Sequence, residues 1–103
     1  MWAQLISMRL KPGMDGELPR LYEQLLAAEQ PGSGLLRTTA MRDQKDPQSI
    51  HHIVIFESEG TARAREQDPR RQDALSDARK TMAEIFEGPP QFVDLEVIAD
   101  TVY

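Results

Sequence analysis

The stretch IHHIVIF, residues 50–56, decides the fold of this chain. Four consecutive apolar residues from Ile53 to Phe56 would point alternately to opposite faces of a β-strand, so both faces of that strand are apolar. A strand in the antiparallel sheet of a small domain usually keeps one face in water. We therefore expect helices to cover one face of the sheet and a second copy of the chain to cover the other.

Strand and helix patterns alternate on either side of this stretch. Strands are predicted at residues 2–10, 35–42, 50–56 and 91–99, and helices at residues 18–26, 59–67 and 70–87. The order strand, helix, strand, strand, helix, strand is the ferredoxin-like α+β pattern, an antiparallel sheet with helices on one face. Residues 1–103 are expected to form one such domain.

Capping and breaking residues set the expected ends of these elements. Asp15 and Ser58 can cap helices, and Pro19 is tolerable because it lies in a first helical turn. Asp68–Pro69 should interrupt the second helical segment, since proline disfavours helical geometry in the residue before it. Gly88–Pro90 is expected to stop the last helix.

Composition excludes several classes of function. The 103 residues include no cysteine, so disulfides, thiolate metal sites and cysteine nucleophiles are ruled out. A net charge of -5 opposes binding to nucleic acid or to an anionic membrane surface. The N-terminus alternates polar and apolar residues where a signal peptide has a continuous apolar core, so we expect a cytoplasmic protein.

Four local motifs, in order, cover nearly the whole chain. They are LKPG at 10–13, EQPGSGLLRTTAMRD at 29–43, DPQSIHHIVIFES at 46–58 and GPP at 88–90. With the length and the element order, these motifs resemble the antibiotic biosynthesis monooxygenase family. That resemblance implies a homodimeric α/β barrel built from two ferredoxin-like subunits. It leaves the chemistry open, because the family includes cofactor-independent quinol and polyketide oxygenases, haem-degrading enzymes and members with no assigned activity.

The resemblance also allows the haem-degrading site to be tested by residue. Its strand asparagine, strand tryptophan and helix histidine align with Ile6, Phe56 and roughly Leu75. Leucine offers no lone pair to iron, so haem degradation ranks last among the hypotheses. No metal or cofactor is expected. Loss of the strand tryptophan also weakens the transfer of the polyketide oxygenase mechanism, although Phe56 keeps an aromatic side chain at that position.

His51 and His52 are the only histidines, and their adjacency on a strand predicts that they face opposite sides. By the resemblance, Phe56 lies in the cleft between sheet and helices, so His52 should line that cleft and His51 should face the partner. His52 is a candidate general base that could deprotonate a phenol or quinol. The alternative is a strand-end histidine that is exposed or bonded to the backbone.

Tyr22, on the first helix, could direct its hydroxyl into the cleft and orient a substrate oxygen, or it could simply be a core residue with its tip in solvent. Six apolar residues are candidates for a wall that binds a flat aromatic ligand, although such residues usually fill a core. They are Ile6, Met8, Val54, Phe56, Met82 and Phe86.

Charged residues form two further groups. Arg63, Arg65, Arg70 and Arg71 could grip a carboxylate or phosphate, but nearby acidic residues are expected to neutralise them on a solvated surface. Asp94 and Glu96 share one face of the last strand, opposite Val93 and its neighbours, and could lie at the dimer seam or pair with arginines such as Arg9 or Arg37. Paired-carboxylate catalysis stays open for them.

The leading hypothesis is a cofactor-independent monooxygenase acting on a small aromatic or quinol-type substrate, with His52 and Tyr22 as catalytic residues. The alternative is a non-catalytic dimeric barrel that binds a small ligand or a protein partner. Isomerase or lactone chemistry on a related barrel is a third hypothesis, for which no acid/base pair can be placed. Phosphate loops, Ser-His-Asp patterns and dinucleotide fingerprints are absent from the sequence.

Overall fold

The computed structural model describes residues 1–103 and contains one four-stranded antiparallel sheet. The strands are β1 (Trp2–Leu10), β2 (Leu35–Arg42), β3 (Ser49–Phe56) and β4 (Phe86–Glu96), and the helices are α1 (Leu18–Ala28), α2 (Glu59–Glu66), α3 (Pro69–Ala74) and α4 (Ser76–Ile85). The strand order β2-β3-β1-β4 is that of a ferredoxin-like α+β fold, as predicted. No helix has the length and apolar character needed to cross a membrane.

The start of α1 differs from the expectation. Asp15 lies in a 3-10 turn, Asp15–Glu17, and Glu17 occupies the N-cap of α1 without a side-chain hydrogen bond. Pro19 is in the first turn, as predicted, where its missing N–H costs no intrahelical hydrogen bond. The predicted cap at Asp15 is therefore wrong, because the turn carries the chain into the helix instead.

Ser58 caps α2 as predicted. Its hydroxyl accepts a hydrogen bond from the Thr61 N–H at 3.1 Å, while the Thr61 hydroxyl receives the Ser58 N–H at 3.3 Å. Asp68 ends this helical segment and caps α3 by accepting a hydrogen bond from the Arg70 N–H at 2.9 Å. Both caps satisfy amide groups that have no partner inside the helix.

The single helix predicted from 70 to 87 is instead two helices that meet at Leu75. Backbone hydrogen bonds from Leu75 N–H to Arg71 and from Arg79 N–H to Leu75, each 2.9 Å, keep the two nearly continuous. The second helix ends at Ile85 because Phe86 already has extended geometry, with φ -107° and ψ 146°.

The last strand begins at Phe86 and ends at Glu96, so the predicted range 91–99 is shifted. Gly88–Pro90 were predicted to end a helix, but they lie inside β4. They form a bulge opposite Met8, since Ser7 pairs with Gln91 and Arg9 with Glu87. β4 is an edge strand, where proline's missing N–H is tolerated, and Gly88 takes the positive φ of 68°.

Side chains alternate between the two faces of the sheet. Ile50, His52, Val54 and Phe56 of β3 are buried beneath the helices, in agreement with the pattern read from the sequence. The other face carries an apolar row from three strands, which no helix covers. Its apolar members include Ala3, Leu5, Ile53, Ile55, Val93 and Leu95. A second copy on this face stays a prediction.

The buried residues under the helices form two separate clusters. The larger one surrounds Leu21 and Ile50, and the smaller one consists of Val54, Phe56 and Ala62. His52 lies between Ile50 and Val54 on β3, so the gap between the clusters falls at its side chain.

Candidate functional site

His52 and Tyr22, predicted separately, meet in the fold. The Tyr22 hydroxyl lies 3.1 Å from His52 Nε2, and the two rings meet edge to face with centroids 5.6 Å apart. Helix α1 places Tyr22 over β3, because its neighbours Leu21 and Leu18 are buried in the larger cluster. His52 is only 9% exposed. His52 is thus buried and hydrogen-bonded to the Tyr22 side chain. The alternative of a strand-end histidine that is exposed or bonded to the backbone does not describe it.

Burial sets the protonation of this pair. Desolvation, with a smaller contribution from the charge of His51, lowers the pKa of His52 below its ordinary value. Desolvation raises the pKa of Tyr22, partly opposed by the positive charge of Arg42. At neutral pH both groups are uncharged, so a phenol O–H and an imidazole nitrogen share one hydrogen bond.

A row of side chains crosses the helix-covered face at His52. The strand register places Ala40 on one side of it and Ile6 on the other, with Phe92 beyond Ile6 on β4. Phe92 is 57% exposed, which means that the helices leave the β4 end of this row open. This exposed strip of the sheet over β1 and β4 contains Ile6 and Phe92 and borders the buried His52 of β3. It is called the cleft from here on, and it differs from the space beside Phe56 that was predicted from the sequence, because Phe56 is buried in the smaller cluster.

A polar group closes one end of the cleft. Gln4 donates a hydrogen bond to Asp94 at 3.0 Å, and Arg63 donates one at 2.9 Å. These bonds, the one from Gln4 first, lower the pKa of Asp94. The Arg63 guanidinium also lies 5.1 Å from the centre of the Trp2 ring. The expected partners of Asp94, Arg9 or Arg37, were wrong, because Asp94 faces the helix side, where α2 presents Arg63.

The six predicted wall residues divide into two places. Met8, Met82 and Phe86 line a cavity of about 150 Å³ with Ala83, Gly88 and Pro90. Val54 and Phe56 are buried in the smaller cluster, and Ile6 packs against it. Met8 lies diagonally across from His52 on the neighbouring strand, so the cavity opens next to the cleft rather than inside it.

Phe92, Gln4 and Trp2 were missed as site residues by sequence reasoning. The available signal was the alternation of side chains along each strand. Trp2, Gln4 and Ile6 share one face of β1, and Asp94 and Phe92 share the same face of β4. That signal could not be used, because the alignment of β4 with β1 depends on the bulge at Gly88–Pro90.

His51 faces the uncovered side of the sheet, opposite His52, as predicted. Its Nδ1 lies 2.8 Å from the Ser7 hydroxyl and its Nε2 lies 3.1 Å from the Ser49 hydroxyl. The two histidines therefore act in separate environments and cannot form a metal pair. No cluster of three or more metal-ligating side chains is present in the fold.

Similarity to solved structures extends over the whole chain. A Bordetella bronchiseptica protein described as an antibiotic biosynthesis monooxygenase superposes with a TM-score of 0.74 at 19% identity, covering 95% of this chain and 97% of that one. A Nitrosomonas europaea protein described in the same way has a TM-score of 0.73 at 14% identity, covering 96% of this chain and 100% of that one. This chain has the fold of the antibiotic biosynthesis monooxygenases. No family model and no curated protein matches its sequence.

A third structure with the monooxygenase fold raises the question of haem. It is a mutant of MhuD with two manganese protoporphyrin IX molecules bound per active site, with a TM-score of 0.80 at 16% identity and full coverage of both chains. In the present protein Leu75 is buried in the larger cluster, His51 faces away, and His52 Nε2 is engaged by Tyr22. This donor set does not fit a haem.

Proposed function

We propose that this protein is an oxygenase that acts, without a metal or organic cofactor, on a small dihydroxy-aromatic molecule in the cleft. The Tyr22–His52 hydrogen bond of 3.1 Å carries the proposal, because in this role His52 would act as a neutral base and Tyr22 as a proton-relaying hydroxyl beside a partly apolar strip. The monooxygenase fold of the neighbours supports the same class of reaction.

The cleft suits a flat ring with a polar edge. Ile6 and Phe92 offer apolar contact from the floor, and an aromatic pair with Phe92 would add about 0.5–1.5 kcal/mol to simple burial. Gln4, with Asp94 and Arg63 at the end of the cleft, provides donors and acceptors for a ring hydroxyl. The floor binds the ring and the polar end orients it.

The proposed reaction begins with a proton transfer. Tyr22 gives its proton to His52 Nε2 and takes a proton from a substrate hydroxyl, so that the substrate becomes a phenolate. The electron-rich ring then passes one electron to dioxygen, and the ring radical and superoxide combine at a ring carbon that carries hydrogen. The imidazolium returns its proton to the peroxide. Loss of water leaves a carbonyl oxygen on that carbon and sends the second oxygen atom into water.

Oxygen uptake with a dihydroxynaphthalene tests the proposal. We expect uptake above the protein-free rate, with His52→Ala and Tyr22→Phe each lowering kcat by about 10²- to 10⁴-fold because the proton relay is lost. His51→Ala is the matched control, since that histidine lies on the same strand but on the opposite face, and it should keep full activity.

Two results would contradict this function. Full activity in His52→Ala would remove the base from the reaction. Saturable binding of the naphthalene to wild-type protein with no oxygen uptake above background would instead identify a binding protein. Circular dichroism of each variant checks that a loss of activity does not reflect unfolding.

A further inference from the structure

A second cavity lies away from the cleft, between the loop after α1 and the helices α2 and α3. Its volume is about 140 Å³, and Gln30, Ser33, Arg65, Asp68, Arg70 and Arg71 are among its lining residues. A water molecule takes about 30 Å³ in the liquid, so the cavity can hold a few waters or one small polyatomic ion. It is hereafter called the arginine cavity.

Two of the three arginines in this cavity already have carboxylate partners. Arg65 grips Glu29 through two nitrogens, with Nε 3.0 Å and Nη2 2.6 Å from its oxygens, and these side chains are only 15% and 21% exposed. Arg70 binds Asp68 at 2.8 Å. Such bidentate pairs are strong and geometrically specific, so both arginines and both carboxylates are satisfied.

Arg71 is the exception. Its side chain is partly buried, yet only through-space charge interactions act on it, and it forms neither a side-chain hydrogen bond nor an ion pair. Burial first, and then repulsion from Arg65, lower the pKa of Arg71, and the carboxylates of Glu29 and Glu66 partly oppose this shift. The Arg71 guanidinium lines the cavity and has no acceptor in the protein, so its N–H donors are free to bind an acceptor that enters the cavity.

The charge balance indicates what would complete the cavity. Three guanidinium groups line the cavity, and Arg65 and Arg70 are bonded to Glu29 and Asp68. Glu29 and Glu66 act on Arg71 only through space, so no carboxylate is bonded to Arg71. The planar fork of arginine matches the spacing of two oxygens on one carboxylate or phosphate group. The expectation that neighbouring acids neutralise the whole arginine group therefore holds for Arg63, Arg65 and Arg70, and fails for Arg71.

We propose that the arginine cavity is a binding site for a small oxyanion, a carboxylate or phosphate group held by the Arg71 guanidinium. The site is independent of the proposed oxygenase reaction, since Arg71 and the cleft residues lie on separate elements and line separate spaces.

Calorimetric titration of the full chain tests this site, with inorganic phosphate in one series and acetate in another, at an ionic strength kept constant with chloride. We expect one saturable site for at least one of the two anions in the wild type. Arg71→Gln should weaken binding at least tenfold. Arg71→Lys, which keeps the charge and loses the fork, should bind more weakly than wild type and more tightly than Arg71→Gln.

Arg20→Gln is the matched control and should bind the anion as the wild type does, since Arg20 is an exposed arginine paired with Glu17 and Glu84 elsewhere on the surface. In chloride buffer, Arg71→Gln should melt no lower than wild type, because it removes an unpaired charge. Binding of phosphate alone identifies a phosphate ligand, and binding of acetate alone a carboxylate. Absence of saturable binding of either anion, or equal binding by Arg71→Gln, would overturn the proposal.

Discussion

At the residue scale, the adjacent residues His51 and His52 of β3 lie in different environments on opposite faces of the sheet. His52 is buried against Tyr22, whereas His51 lies between two serine hydroxyls on the uncovered face. The strand period of two makes this difference unavoidable once the pair is placed on a strand. Only one of the two histidines can therefore serve the cleft.

The burial of His52 makes stability depend on pH. Its pKa is lowered in the folded state, so the unfolded chain binds more protons just below the ordinary value of about 6.5. The free energy of unfolding should therefore fall as pH drops from about 6.5, and level off below the folded-state pKa.

Urea unfolding of wild type and His52→Gln between pH 8 and about 5 checks this direction. The variant should lose the fall that begins near pH 6.5, because it differs from the wild type only in the group at position 52. An identical pH dependence in the two proteins would show that His52 titrates normally in the fold.

Gly34 is the second position where a single residue is constrained. Its φ is +81°, and a Cβ placed there would lie 2.5 Å from the Cβ of Thr61 in the cap of α2. Gly34→Ala should lower the free energy of unfolding by about 2–4 kcal/mol, combining left-handed strain with the steric clash.

Gly32→Ala separates the two causes of that loss. Gly32 has a similar φ of +76° and nothing within 4 Å of the added Cβ, so only the backbone strain of about 1–2 kcal/mol applies. Chemical denaturation of both variants gives the comparison. Equal losses in the two variants would mean that the structure accommodates the added methyl group beside Thr61 with no loss of stability.

At the scale of elements, helix ends follow local capping chemistry where a suitable side chain is available. Ser58 caps α2, as the sequence predicted, and Asp68 caps α3 at a position where the sequence predicted only a break. The ends of α4 and β4 were not, because Phe86 leaves the helix to join the sheet, and pairing with β1 holds Glu87 in an extended geometry. Tertiary hydrogen bonds decided those two boundaries.

The capping box of α2 gives a prediction for that helix. Ser58→Ala removes the acceptor of the Thr61 N–H and should lower the free energy of unfolding by about 0.5–2 kcal/mol. Ser76→Ala is the control, because Ser76 is the first residue of α4 and makes no capping bond. Thermal denaturation should show a lower Tm for the first variant only, and a comparable fall in both would argue against a specific contribution of the cap.

At the scale of the molecule, the uncovered sheet face is an apolar surface that no helix of the chain covers. Ile53 and Ile55 of β3 lie beside Leu5 and Ala3 of β1, and β4 adds Val93 and Leu95. Burying apolar surface contributes about 25 cal/mol per Å², and a chain of this size gains a core of limited extent by itself. The homodimer predicted from the sequence stays our proposal for what covers this face.

Leu95→Arg tests the dimer directly. It places a charge on the uncovered face, where Leu95 is 38% exposed, and should convert a dimer to a monomer in sedimentation analysis. Leu26→Arg is the control, since Leu26 is 78% exposed on α1 and faces away from the sheet, so the dimer should persist. A wild-type protein that sediments as a monomer at micromolar concentration would rule out the barrel.

The sequence by itself determined the order of elements, the ends of β1 and β2, and the assignment of His52 and His51 to opposite faces. Those properties follow from periodicity and turn residues, which act over a few positions along the chain. Only the tertiary structure decided that Tyr22 meets His52, that Asp94 pairs with Arg63, and that Arg71 has no partner. Each of those outcomes depends on how helices pack on the sheet and on the β4 bulge, because contacts between distant residues are fixed by packing and register rather than by local pattern.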